Sequence, residues 1–260
     1  MYADIFKREY VRDAAGKFAT TSSSADGWKK VGHALGSNPG GVYEKDGQKY
    51  YVKLPHDAGQ VHTEVAADKV YELLGVKTLS HKAEQIGGKT ASVTKWDDSL
   101  KRVDYMTWRK LSPAQKTQAA QIFVASALVK NWDVVGLNYD NVVKDAAGNL
   151  AIVDTGGSFT YRAMGHRKSF GNDATPEIAS FLSHKKTSGS VFRPLYEDSP
   201  DLFRQAAFNL RHVSKADLEK AVKDAPDAAK LVDAMLWRKY TIQKRLGVVL
   251  KGGDHVDLFL

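Results

Sequence analysis

Between Gly36 and Trp96, short runs alternate apolar and polar residues between turn formers, a period of two that predicts strands. Gly40-Gly41-Val42-Tyr43-Glu44 enters a strand, Lys45-Asp46-Gly47-Gln48 is a hairpin turn, and Lys49-Tyr50-Tyr51-Val52-Lys53-Leu54 returns before Pro55 closes it. Alternation places Tyr51 and Lys53 on one face of the return strand, Val52 and Leu54 on the other. Val61, Val65, Val70, Leu73 and Leu74 then recur at helical spacing, with Gly75 as the stop. Two more strand-like runs, around 78–85 and 90–96, flank Gly87-Gly88.

From Ser112 the period changes to that of helices. Ser112-Pro113 reads as an N-cap followed by a first helical residue, and Ile122, Phe123, Ser126, Leu128 and Val129 line a mostly buried helix ending near Asn131. A loop, a strand pair at 141–144 and 150–153, and a glycine-rich turn follow. After about residue 176 the pattern is helical again. Ser214-Lys215-Ala216-Asp217 resembles a capping box with Asp in place of Glu, and Ala228–Leu246 forms a long amphipathic helix. Residues 1–27 read as a flexible tail and Ser/Thr-rich linker, with Trp28 the first side chain expected to anchor on the body. The division is thus a β-rich small part at 28–98 and a helical part at 99–260, an α+β organisation without internal repeat.

Composition narrows the classes. The 260 residues, 43% hydrophobic and 26% charged, suffice to bury a core without staples. The chain contains no cysteine, which excludes disulfides, thiolate catalysis and cysteine-ligated zinc and fits a reducing compartment. No apolar run approaches the roughly 18 residues of a membrane span, and the first residues lack a signal-peptide apolar region, so a cytoplasmic protein is expected. The net charge of +8 admits nucleic acid, anionic lipid, nucleotide phosphates or an acidic protein as partners. The basic residues are scattered instead of blocked, however, which favours a solvated, mildly basic surface over a dedicated nucleic-acid face.

The chemistry-bearing residues occur in a telling order. Leu35-Gly36-Ser37-Asn38-Pro39-Gly40-Gly41 is a small-residue segment whose N–H groups could face phosphates. Lys53 sits on the return strand, and Glu64 stands near the start of the next helix beside its apolar stripe. Lys130-Asn131-Trp132-Asp133-Val134-Val135-Gly136-Leu137-Asn138-Tyr139-Asp140-Asn141 gathers Asp and Asn side chains that are costly to bury unless they bond one another, backbone or metal. Asp154-Thr155-Gly156-Gly157 follows three apolar strand residues, where an aspartate can chelate a cation. Taken singly, each has an ordinary explanation: a turn, an edge-strand lysine, a dipole-compensating glutamate, Asx turns. Phosphoryl transfer, by contrast, requires all of them, because it depends on held phosphates, neutralised charge and a positioned acceptor hydroxyl.

In that order the chain resembles the atypical protein and lipid kinases that include the HipA-like kinases and the phosphoinositide 3- and 4-kinases. Asn131-Trp132-Asp133…Asp140-Asn141 is similar to their Asn-x-Asp…Asp-Asn and Asn-x-Asp-Asp-His-x-x-Asn loops, and Asp154-Thr155-Gly156 resembles the metal-binding Asp-Phe-Gly position. The match spans about residues 36–165. It implies a two-lobed protein-kinase-like fold, ATP with Mg²⁺ (or Mn²⁺) as cofactors, and transfer to a hydroxyl, Ser/Thr of a protein substrate in preference to a lipid. Lys53 would hold the α/β-phosphates, Glu64 would pair with it, Asp133 would orient or deprotonate the acceptor and Asp154 would bind metal. The second metal position falls on Asn138 by spacing from Asp133 or on Asn141 by its place before the next strand, context favouring Asn141. Asp140 is an alternative base if the loop threads differently. The basic residue usual after the catalytic Asp is replaced by Val134 and Val135. Gly36, Ser37, Asn38, Gly40 and Gly41 would cover the nucleotide, and Lys95 and Trp96 fall where a hinge would hold adenine. Tyr161–Lys168 would form a basic substrate loop. Arg12-Asp13-Ala14-Ala15-Gly16-Lys17-Phe18 is similar to segments of bacteriophage head proteins, which would give a phage or prophage origin and a virion-associated, non-catalytic kinase fold as the alternative reading.

Overall fold

Two Asp-Gly pairs reverse the chain at the start of the computed structural model, which describes residues 24–35, 38–162 and 165–248. At Asp26-Gly27 and at Asp46-Gly47 both residues have positive φ (55° and 79°; 50° and 74°), the backbone of a tight hairpin whose twist matches its strands. The first turn joins β1 (Ser24–Ala25) to β2 (Trp28–Lys30), so pairing begins inside the segment read as linker; the rest of that tail, 1–23, lies outside the described residues. The second joins β3 (Gly40–Lys45) to β4 (Gln48–Lys53) as expected.

The expected run at 78–85 is split between two sheets. Lys77–Thr78 (β5) pairs in parallel with Leu150–Ile152 (β10), whereas Lys82–Ile86 (β6) pairs with Lys89–Lys95 (β7). Ser80, at φ 52°, turns the chain between them. An antiparallel six-stranded sheet results, in the order β1-β2-β3-β4-β7-β6. A second sheet, β5-β10-β9-β8, is completed by β9 (Val142–Lys144) and β8 (Lys101–Arg102). That second sheet draws strands from both sides of the expected boundary at residue 98.

Helix α1 (Ala58–Leu73) is capped by Asp57, whose carboxylate accepts from Gly59 N–H. Its buried apolar residues are Val61, Ala66, Ala67, Val70 and Tyr71, while Leu73, expected inside, is exposed. Glu64 therefore lies beyond the first turn, on a buried face, and not where a helix dipole would place it. A short α2 (Tyr105–Trp108) precedes α3 (Pro113–Val129). Ser112 and Gln115 form a reciprocal capping box at the start of α3, and Lys130, at φ 58°, ends it in the left-handed region. Ser112→Ala is expected to cost about 1 kcal/mol of stability, read as a lower urea midpoint at unchanged slope.

The remaining helices are α4 (Thr175–Phe181), α5 (Thr187–Asp198), α6 (Pro200–Asn209), α7 (Lys215–Val222), with its expected Ser214/Asp217 box, and α8 (Ala228–Arg245). Their core centres on Phe123 of α3, which meets Phe181, Phe192 and Phe203 edge-on at centroid distances of 5.4, 5.3 and 5.0 Å. A smaller core of Trp28, Tyr43, Val52, Ile86, Ala91 and Val93 backs the six-stranded sheet. The apolar face of α1 joins the large helical core, so its polar face is buried toward the sheet. No helix of the described residues is long and apolar enough to cross a membrane.

Candidate active site

Lys53, at the end of β4, is where the elements converge. Its ammonium donates to Glu64 Oε1 at 2.6 Å and to Asp154 Oδ1 at 3.1 Å, joining β4, α1 and the turn after β10. Burial alone would drive the proton off this amine, but the Asp154 and Glu64 carboxylates outweigh it and hold Lys53 protonated, its pKa raised. Glu64 is buried too, which opposes its charge, yet Lys53 and His81 keep it ionised with a lowered pKa. The lysine, glutamate and strand-end aspartate read from the sequence thus form one continuous ionic triad.

The Asx loop hangs from the end of α3. Asn131 is fully buried and organises it: Nδ2 donates to Tyr71 OH (3.2 Å) and to the Asp154 carbonyl (3.3 Å), and Oδ1 accepts from Asp133 N–H (3.2 Å). Asn141 Nδ2 donates to the Asp133 carbonyl at 2.6 Å, and Asn141 O accepts from Val153 N–H, which sets Asn141 across the ladder from the residue before Asp154. Gly136 is required here. Its φ is 77°, and a Cβ would lie 2.1 Å from Asp140 Oδ1. Burial, then the Asp154 and Asp140 carboxylates, push the Asp133 carboxyl up to about 6. Asn138 is exposed in the outer part of the loop, whereas Asn141 touches Asp133 directly. Val134 and Val135 are buried in the helical core.

The donor set suits a hard divalent cation. Lys53 and Gly156 N–H both bond Asp154 Oδ1, leaving Oδ2 of a side chain 35% exposed. The Asn141 amide nitrogen is taken, leaving its carbonyl oxygen. Two oxygens with no third acidic or imidazole ligand among the described residues fit Mg²⁺ or Mn²⁺ completed by ligand phosphates, and not an all-protein cage.

The small-residue segment enters a strand at Gly40, as expected. Gly40 and Gly41 belong to β3, opposite Lys53 and Val52. They have φ of 142° and 147°, and a Cβ would meet Val52 O at 2.0 Å and Gly32 O at 2.3 Å. Close backbone packing thus requires glycine at both positions. The loop over this face runs from β2 to β3. Leu35 N–H donates to Tyr51 OH (2.9 Å), tying the loop to the strand face that Tyr51 shares with Lys53. Asn38 is half-buried, and Gly36 and Ser37 lie outside the described residues. Lys95 pairs with Tyr50, and Trp96 N–H donates to Lys49 O. Both residues therefore lie about 10 Å along the sheet from Lys53, on the way out of the small lobe.

Several residues escaped the sequence reading. Arg238 of α8 is fully buried against Glu177 of α4, with Nη2 to Oε2 at 2.6 Å. It also donates to the carbonyls of Ala127, Leu128, Gly171 and Asp173, clamping the end of α3 from which the Asp133 loop departs. Trp132 Nε1 donates to the other Glu177 oxygen at 2.7 Å. The available signal was a charge within the apolar stripe Met235-Ile242 of an amphipathic helix. Lys168 donates to the carbonyls of Lys130 (2.6 Å) and Gly157 (2.5 Å), bridging the two loops, and burial pulls its amine down to about 7. Arg167 stacks 4.2 Å over Tyr161 and pairs with Asp57, so much of the expected basic substrate loop is engaged internally.

This arrangement of sheet, α1 and helical lobe matches known folds. The crystal structure of the Helicobacter pylori proinflammatory kinase CtkA covers 86% of this chain and 95% of its own, with a TM-score of 0.53 and 13% identity. HipA of Shewanella oneidensis MR-1, in complex with HipB and operator DNA, matches over 92% of this chain and 68% of its own (TM-score 0.42, 11% identity). The PknI kinase domain of Mycobacterium tuberculosis matches over 84% and 98% (TM-score 0.35, 17% identity). No family model matches the sequence, and no curated protein matches it. The chain has the α+β kinase-like fold.

Proposed function

We propose that this protein is a phosphotransferase that uses ATP with Mg²⁺ or Mn²⁺ and passes the terminal phosphoryl group to a hydroxyl, Ser or Thr of a protein. One observation carries the reading: the Lys53 ammonium is shared between Glu64 of α1 and Asp154 at the strand end. A buried lysine held charged by two carboxylates, one of them partly exposed, is a prepared partner for phosphate oxygens.

In this reading Lys53 holds the phosphates, and Glu64 keeps its ammonium aimed at them. Asp154 and Asn141 would hold the cation, which would supply charge to offset that developing on the phosphoryl oxygens. Asn141 is preferred to Asn138 because it bonds Asp133 and adjoins Asp154 through the ladder. Asp133, fixed by Asn131 and Asn141, orients the acceptor hydroxyl and takes its proton. Among the described residues, Asn38, Gly40 and Gly41 line the nucleotide, and Lys95 and Trp96 lie on the adenine side.

The burial of Val134 and Val135, which leaves no basic residue after Asp133, favours a second reading: a kinase fold that binds nucleotide without transfer. Purified protein with γ-labelled ATP and Mg²⁺ or Mn²⁺ separates the two. Label incorporated by the wild type and lost in Lys53→Met and Asp154→Asn is the expected result. Magnesium-dependent nucleotide binding without label would establish the second reading, and no nucleotide binding would overturn both.

A further inference from the structure

Behind the Lys53–Glu64 pair lies a second buried network. His81 donates its backbone N–H (2.7 Å) and its Nδ1–H (2.8 Å) to Asp68 Oδ2. Thr155, next to Asp154, donates its hydroxyl to Asp68 Oδ1 at 2.7 Å. The other ring nitrogen, His81 Nε2, lies 3.7 Å from Glu64 Oε1 and has no hydrogen-bond partner among the described residues. Glu64 and Asp68 are one helical turn apart on the buried polar face of α1. The circuit closes from Asp154 through Lys53 to Glu64, then through His81 and Asp68 to Thr155.

Two features of this geometry favour a positive imidazole. With only Nδ1 protonated, the Nε2 lone pair would face a carboxylate oxygen across 3.7 Å of protein interior; a proton there turns repulsion into attraction. Moreover, Glu64 and Asp68 are both buried, and Lys53 must also serve Asp154, so a second cation is needed to balance them. We propose that His81, as an imidazolium bonded to Asp68 and facing Glu64, is a positioning residue that holds α1 where Glu64 meets Lys53, so that nucleotide affinity depends on the charge of a side chain that never touches the ligand.

This deepens the kinase reading and rests on it. The charged groups facing His81 are Glu64 and Asp68 from α1 and Lys53 from β4. Burial opposes the imidazolium, but the two carboxylates prevail and raise the pKa of His81 in the folded protein. Its contribution is therefore complete below the ordinary histidine value and is lost as pH rises through the raised one.

The test uses His81→Asn, whose amide nitrogen can replace Nδ1 toward Asp68 but carries no charge toward Glu64. MgATP affinity is measured by calorimetry from about pH 6 to about pH 9. Wild-type affinity is expected to fall roughly tenfold across the His81 titration, and the variant to start roughly tenfold weaker without that step. Lys168, whose amine burial pulls down to about 7, and Asp133, whose carboxyl burial pushes up to about 6, are present in both proteins, so the difference between the profiles isolates His81. Independently, and without nucleotide, histidine NMR of the wild type is expected to show His81 titrating above the ordinary value. Equal affinities and profiles in the two proteins, or a His81 that titrates below the ordinary value, would overturn the proposal. A wild type that binds no nucleotide while His81 titrates high would instead overturn the kinase reading on which it rests.

Discussion

Asp133→Asn is expected to lower phosphoryl transfer by about 10²–10⁴-fold, the range for removing a positioned general base, while nucleotide binding stays near the wild-type level. The two effects separate because of where the side chain sits. Asp133 is held by Asn131 and Asn141 on the loop side of the cleft, and Lys53, Glu64 and Asp154 form a pair of their own without it. The variant is also expected to unfold at the same or a higher temperature. Asp133 lies beside Asp154 and Asp140 with no cation of its own, so an amide relieves repulsion without changing shape. Initial rates of label transfer, nucleotide affinity and a thermal melt together check this. Transfer that persists within tenfold of wild type would move the base role to Asp140, whose carboxylate packs against Gly136 on the same loop.

Arg238→Met is expected to destabilise the fold by about 3–5 kcal/mol, because it takes from the buried Glu177 carboxylate its 2.6 Å cation partner and leaves it only Lys130, 3.8 Å away. Arg238 is 0% exposed, and its donors also satisfy four backbone carbonyls, two of them in the last turn of α3. Urea unfolding measures the loss directly. Adding Glu177→Gln to Arg238→Met is expected to recover part of it, since the carboxylate charge is then removed. A loss under about 1 kcal/mol, the scale of an exposed pair, would show that water reaches the site and that the pair does not secure the loop end.

The elements legible from sequence were those whose information is local. The Asp-Gly hairpin turn at 46–47, the Ser112 N-cap, the Ser214 capping box, the bounds of α3 and α8 and the short strand pair all stand where the pattern put them. Each depends on residues within a few positions of one another. The split of the 78–85 run was not legible. A two-residue strand carries no period, and Lys77–Thr78 is a strand only because Ala151 and Ile152 lie beside it. The stripe on α1 was misread for a related reason: Val65 and Leu73 fit a helical pattern, but α1 is covered on two faces, and burial follows its neighbours instead of its own hydrophobicity.

The same division runs through the candidate site. Lys53, Glu64, Asp133, Asn141 and Asp154 were picked out of the sequence by their residue types and by an order that resembles that of kinases, and the structure brings Lys53, Glu64 and Asp154 into contact. The need for glycine at 40 and 41, where the backbone approaches Val52 and Gly32, is a tertiary requirement that the sequence does not mark. His81, Asp68, Thr155, Arg238 and Glu177 had no motif to mark them.

By itself, then, the sequence determined the α+β class, most of the element boundaries and the membership of the candidate site. Only the tertiary structure decided which charges face one another: Lys53 with Glu64 and Asp154, His81 with Asp68 and Glu64, Arg238 with Glu177. The physical reason is that helix periods, caps and turns are set by neighbours in the chain. The ionisation and aim of a buried group are set instead by whatever folding brings within a few ångströms, across separations of 101 residues for Lys53 and Asp154 and 61 for Glu177 and Arg238.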